Sequence, residues 1–125
     1  MTGGRLRARR HGLWAETLAV AWLRFKGYGM VARRLAAGRG TGAGEVDIVA
    51  RRGGVLAFVE VKFRPTLAQA AEAVGAPQRR RIARSAALFL ARRPDLAGLA
   101  VRFDAILVAP WRLPRHLPDA WRADP

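Results

Sequence analysis

Asp47, Glu60 and Lys62 stand inside two apolar runs, GEVDIVARR and VLAFVEVKF, where ionised side chains are costly to bury. Gly53-Gly54 separates the runs as a two-residue hairpin turn would. Such a turn pairs residues whose numbers sum to 107, which sets Asp47 opposite Glu60 and Glu45 opposite Lys62. Alternation along a strand sets 45, 47, 60 and 62 on one face. Directly opposed β-carbons lie about 4.5–5.5 Å apart, so the two carboxylates repel unless a cation lies between them. A divalent ion with oxygen ligands suits that position, and Mg²⁺ commonly takes only one or two carboxylates plus water and phosphate oxygens. Lys62 projects beside it, where an ammonium can orient an attacking water or stabilise charge developing on phosphorus. The competing arrangement is structural: a Glu45–Lys62 cross-strand ion pair, with Asp47 and Glu60 facing solvent at a sheet edge. The aliphatic residues on either side of the charges favour covered strands, and with them the cation-binding arrangement.

The elements that must hold these side chains follow from the pattern around them. From about His11 to Lys26, Leu13, Trp14, Leu18, Ala21, Trp22 and Phe25 recur at helical spacing, with Val20 and Leu23 on the other side. A helix apolar nearly all round is expected to be largely buried. Gly27 and Gly29 end it. Strands are predicted over about 30–35, 44–51, 55–63 and 100–108, and TLAQAAEAV reads as a short helix. Pro77 suits the first turn of a further helix that reaches about Arg92. The glycine-rich loop at 36–43 is expected to be a flap or a disordered connection. The tail PWRLPRHLPDAWRADP holds too many prolines for a regular element, with Trp111 and Trp121 expected to pack back on the domain. The chain thus divides into a basic flexible N-terminus (1–10), one domain (11–108) and a C-terminal tail packing on it (109–125). The order α-β-β-β-α-α-β means an α/β fold, a mixed β-sheet flanked by helices.

The 125 residues carry 23 basic and 9 acidic side chains, a formal charge of +14, and only Lys26 and Lys62 are lysines. A GC-rich genome explains arginine in place of lysine, but not the shortage of acids. A field of this sign suits a phosphate-rich partner, nucleic acid first. Arg79, Arg80, Arg81 and Arg84 crowd the start of the second long helix, where they repel one another without an anion, so phosphate-backbone contacts are expected there. Asp104 reads as a structural partner of an arginine, and both histidines as solvent-exposed. Cysteine is absent, which excludes disulfides and cysteine-ligated zinc. No apolar run approaches the ~20 residues of a membrane span. RLRARR followed by LWAETLAVAWL imitates a secretory signal, but Glu16, Arg24 and Lys26 interrupt it, so a cytoplasmic protein is expected. There is no serine or cysteine nucleophile arrangement, and GRGTGAG lacks the lysine of a phosphate-binding loop, which argues against nucleotide hydrolysis.

The pattern D-x12-E-x-K on consecutive strands after a helix resembles the PD-(D/E)xK nuclease superfamily. The longer phrases Gly12-x3-Glu16-x2-Ala19-x3-Leu23-x3-Gly27-Tyr28, GEVDIVARRGG, FVEVKFR, EAV…QRRR and RFDAILV are similar to the bacterial YraN-type family, related to archaeal Holliday-junction resolvases. The resemblance spans about residues 11–108. It implies a restriction-endonuclease-like core and a metal-dependent nuclease acting on DNA phosphodiesters, branched or single-stranded. It also implies that Asp47 and Glu60 hold Mg²⁺ or Mn²⁺ with help from the Val61 carbonyl, and that Lys62 is the catalytic lysine. Glu16 matches an acidic residue of the first helix that approaches the metal in related resolvases; taken alone, it reads as a buried glutamate paired with an arginine. Gln78 stands where the family's helix begins with lysine, a position at which some superfamily nucleases use glutamine. Arg64 matches an arginine able to reach the nearest phosphate, whereas Phe63 replaces the family's usual threonine. Related resolvases act as dimers, so the resemblance allows a homodimer, with the tail tryptophans as a candidate interface. The rival functions are a non-catalytic nucleic-acid-binding module that retains the fold, and a basic protein of an RNA-protein assembly.

Overall fold

The computed structural model describes residues 2–35 and 45–122, the side chains of 2–11 and of Ala76 excepted. The 36–43 loop expectation therefore lies outside the described residues. Helix α1 (Thr2–Phe25) opens the chain, starting earlier than the His11 boundary because Leu6, Arg7, Ala8 and Arg9 are all good helix formers. It ends in a Schellman closure: Tyr28 N–H donates to the Leu23 carbonyl and Gly27 N–H to that of Arg24. Gly27 takes φ +92°, a left-handed conformation that glycine adopts without strain.

Strands β1 (Gly29–Leu35), β2 (Val46–Arg52) and β3 (Val55–Phe63) form an antiparallel meander. Helices α2 (Leu67–Glu72) and α3 (Ala76–Ala91) and a 3-10 turn at Pro94–Leu96 then cross over to β4 (Ala100–Val108). This strand pairs with β3 in parallel, from Val55↔Ala100 to Phe63↔Val108, an arrangement that needs such a crossover. Thr66 caps α2 by accepting from Gln69 N–H at 3.1 Å. The sheet order is β1-β2-β3-β4-β5. A mixed five-stranded sheet flanked by helices is an α/β fold, consistent with a restriction-endonuclease-like core.

Alternation along β3 builds two cores. Leu56 and Phe58 face Ile82 and Ala86 of α3, whereas Ala57 and Val59 face Ala15, Ala19 and Leu23 of α1. Burial of α1 is narrower than its composition suggests. Among the described side chains of α1, the stripe Ala15, Glu16, Ala19, Val20 and Leu23 is fully buried, while Trp14 and Phe25 remain 52% and 86% exposed.

Two expectations for the tail require correction. Arg115–Trp121 forms a fifth strand, β5, antiparallel to β4. Proline is tolerated there because β5 is a sheet edge, and Pro118 falls where the register shifts between Phe103 and Ala105. Trp121 is buried and stacks on Phe103, whereas Trp111 is fully exposed. The other correction concerns His116, which is not solvent-exposed: its side chain is 2% exposed and bonds to Asp104 at 2.7 Å. Asp104 is completely buried and accepts two 2.8 Å bonds from Arg102, so its reading as an arginine partner holds. Among the described residues, no helix is long and apolar enough to cross a membrane.

Candidate active site

The β2–β3 hairpin turns at Gly53, whose φ of +59° favours glycine. Pairs from Arg52↔Val55 to Ile48↔Val59 keep the sum of 107 that a two-residue turn requires. Beyond Ile48 a side chain takes over from the ladder: Asp47 Oδ2 accepts the Val61 N–H at 2.7 Å. Asp47 is thereby fixed where the two strands part.

Glu60 is 4% exposed, and two donors converge on one of its oxygens. Lys62 Nζ lies 3.1 Å from Oε1 and Gln78 donates to the same atom at 2.9 Å. Lys62 thus pairs within its own strand, two residues along on the same face. Gln78 reaches Glu60 from the first turn of α3, so the sheet and the helix meet at this carboxylate. The second oxygen, Oε2, is buried and has no hydrogen-bond partner among the described residues. A buried carboxylate oxygen left in that state costs free energy, and a cation would relieve the cost.

Electrostatics join the two acids. Burial pushes Asp47 up to about 7 from 3.8; Glu60 and Glu16 add to the rise, while the Val61 N–H and Lys62 oppose it. Burial likewise raises Glu60, against the pull of Lys62 and Gln78, with Glu45 adding repulsion. Four carboxylates therefore act on one small region, a field that attracts a cation. Among the described residues no group of three or more Asp, Glu or His side chains forms a compact metal cluster. Two carboxylates with an open remainder fit Mg²⁺ or Mn²⁺ better than a closed protein cage.

Glu16 has arginine partners and also belongs to the acidic region. Arg33 and Arg34 both reach it at 3.3 Å, and it raises Asp47 through charge. Consecutive strand residues point to opposite faces, so a regular strand could not bring both guanidinium groups to one carboxylate. Arg34 takes φ +52°, a left-handed conformation that costs a bulky residue about 1 kcal/mol or more and breaks the alternation. Sequence alone predicts an arginine partner for Glu16 but not this pair; the ARR triplet at the end of β1 is the available signal. Glu16, Arg34, Glu45, Asp47, Val61 and Phe63 line a cavity of about 420 Å³. A larger groove, about 560 Å³, runs between α3 and the β4–β5 end, where its one carboxylate, Asp119, is ion-paired with Arg122. Its described lining residues include no carboxylate pair, so that groove offers nothing comparable to the smaller cavity.

The remaining arginines divide. Arg79 donates to the Val74 carbonyl at 3.2 Å and lies over the Trp121 ring, so its guanidinium is engaged with the domain itself. Arg64 donates to the Phe63 carbonyl at 2.7 Å, at the end of β3. Arg80, Arg81 and Arg84 are exposed along α3, with Arg81 one turn beyond Gln78 on the same stripe.

A model of the uncharacterised protein family UPF0102 matches residues 15–108. The UPF0102 protein of Paramagnetospirillum magneticum is 66% identical over 117 residues, covering 94% of this chain and 91% of its own length. That of Parvibaculum lavamentivorans is 56% identical over 117 residues, covering 94% and 85%. That of Maricaulis maris is 47% identical over 121 residues, covering 97% and 92%.

Proposed function

The chain belongs to the UPF0102 family, the YraN type that its motifs resemble, and from its site we propose that it is a metal-dependent nuclease hydrolysing DNA phosphodiester bonds. The observation that carries this reading is the Glu60 carboxylate: one oxygen held by Lys62 and Gln78, the other buried without a partner among the described residues, with its charge acting on Asp47. Asp47 and Glu60 would hold Mg²⁺ or Mn²⁺, with the Val61 carbonyl as the expected third protein ligand. When bound, such an ion supplies Lewis acidity toward a phosphoryl oxygen. Lys62, fixed by Glu60, places a positive charge where negative charge develops on phosphorus. Gln78 holds Glu60 in one orientation, and Arg33 and Arg34 offset the charge of Glu16. The same reading places the protein in the cytoplasm, acting as a homodimer on DNA.

The test is cleavage of linear, single-stranded and four-way DNA with and without Mg²⁺. Lys62→Ala should lower the rate about 10²- to 10³-fold while a calorimetric Mn²⁺ titration still gives heat. Equal cleavage by wild type and Lys62→Ala would mean that a contaminant does the work. Binding without cleavage under every condition would favour the non-catalytic module.

Phosphate contact makes a separate prediction. DNA affinity should fall steeply with salt, each neutralised phosphate contributing about −0.9 to the logarithmic slope on duplex DNA. Replacing exposed Arg80 and Arg81 together by alanine should flatten that slope by about 1 to 2. An unchanged slope in filter-binding titrations would remove α3 from the interface.

A further inference from the structure

Part of the lining of the acidic cavity is apolar and aromatic. Leu13 of α1 and Phe63 at the end of β3 line the same cavity as Asp47 and Glu16. Trp14 packs edge-on against Phe63, with ring centroids 5.8 Å apart and an interplanar angle of 89°. Trp14 is 52% exposed and Leu13 37%, in the same helical turns that carry the buried Ala15 and Glu16. Folding therefore leaves a half-exposed tryptophan packed on Phe63, a residue that lines the acidic cavity. Arg34, which lines the cavity, and Arg33 both pair with Glu16 while their side chains stay 49% and 43% exposed.

We propose that Trp14, buttressed by Phe63, is a stacking platform for an unpaired nucleobase of the strand whose phosphate enters the Asp47–Glu60 site. This inference rests on the nuclease reading for the identity of the ligand. Carboxylates and arginines can meet a backbone, but they give no means of telling a paired strand from an unpaired one. A base inside a duplex offers only its edges, because both of its faces are stacked on neighbours. An unpaired base offers a π-face, and an exposed indole beside a phosphate site receives it without regard to sequence. The T-shaped Phe63 contact holds the indole in one orientation, which lowers the ordering cost when a base arrives. The substrate class that follows is single-stranded nucleic acid, or a junction with splayed bases.

The experiment measures binding without divalent metal, so that it does not depend on cleavage. Two probes of equal length and charge are compared, an oligothymidylate and the corresponding abasic oligonucleotide. Wild type should bind the base-bearing strand about tenfold more tightly, Trp14→Ala should lose that preference while keeping its affinity for the abasic strand, and Trp14→Tyr should restore most of it. Equal affinity of wild type for the two probes would overturn the proposal, as would a preference that survives in a folded Trp14→Ala protein. If Trp14→Ala does not melt cooperatively, the wild-type comparison and the Trp14→Tyr variant decide the matter. A preference seen in a protein that never cleaves would uphold the platform and dismiss only the nuclease reading.

Discussion

Asp47→Asn should give a protein that is more stable than wild type above neutral pH and has lost both Mn²⁺ binding and cleavage. The stability half follows from the raised Asp47 carboxyl. Burial, with Glu60 and Glu16, lifts this group from 3.8 to about 7, so the folded chain holds the proton more tightly than the unfolded chain. As pH rises through about 4 the unfolded state releases its proton first, and stability falls until the folded carboxyl also ionises near 7. The loss is therefore absent in acid and complete in base. At about 1.4 kcal/mol for each pH step between those two values, it is on the order of 4 kcal/mol. Asparagine keeps an oxygen for the Val61 N–H, now 2.7 Å from Oδ2, and removes the charge. The variant's melting temperature should exceed that of wild type by roughly 10 °C at about pH 8 and match it at about pH 4.

The functional half has the opposite sign. Without the charge of Asp47, the cation loses one of two carboxylates, and cleavage should fall by about 10⁴-fold. Mn²⁺ should raise the melting temperature of wild type by mass action but leave Asp47→Asn unmoved. Coincident melting curves for the two proteins at about pH 8 in chelator would show that the site carries no electrostatic strain, and a cation would then have nothing to relieve.

Much of this site is local in the chain, which is why it is legible there. Gly53-Gly54 dictates a two-residue turn and the turn dictates the register, but the ladder ends at Ile48↔Val59, one pair short of Asp47 and Glu60, and Asp47 instead accepts the Val61 N–H. Gln78 stands out only through family resemblance. Nothing in its own spacing says that α3 begins with its first turn against β3, yet its amide reaches Glu60. The left-handed Arg34 is illegible because propensity gives arginine no reason to adopt it; the tertiary demand of Glu16 is met there. The width of the α1 core stripe escapes the sequence for a related reason. Periodicity shows which faces are apolar, but only the neighbouring sheet decides how many of them are covered. The hidden strand β5 is the clearest failure: prolines argue against a central strand, whereas this one lies at the edge.

That edge strand owes its place to a network of which the sequence shows only the arginine partner of Asp104. Asp104 accepts from Arg102 twice, from His116 Nε2 at 2.7 Å and from the Asp119 N–H at 3.0 Å, filling its capacity. Lys26, a donor only, meets His116 Nδ1, so the imidazole proton sits on Nε2 and points at Asp104. Arg102 also donates to the Tyr28 hydroxyl at 2.6 Å. The network thus joins the end of α1, β4 and β5 through one carboxylate. Burial alone would raise Asp104, but the bonds from His116, Arg102 and the Asp119 N–H outweigh it and hold the carboxyl at about 2. Its stabilisation is present above about 4 and is lost as pH falls toward 2, an amount near 2 kcal/mol.

Asp104→Ala should cost more than that protonation, because it strands the buried His116 and the half-buried Arg102 together. Removing one member of a buried charge network typically costs about 3–5 kcal/mol, or roughly 10–20 °C in melting temperature here. The loss should be uneven, since His116 and Asp119 both belong to β5: hydrogen exchange across 115–121 should accelerate well before the β2–β3 hairpin is affected. Asp119→Gly is the control. It keeps the N–H that Asp104 uses and relieves a left-handed φ of +53°, so it should stay within about 1 kcal/mol of wild type. Uniform exchange along the whole sheet in Asp104→Ala would mean that the carboxylate supports the domain generally and does not tie down its last strand. If Asp119→Gly were as damaging as Asp104→Ala, the Asp119 side chain, and not the buried network, would be what holds the edge.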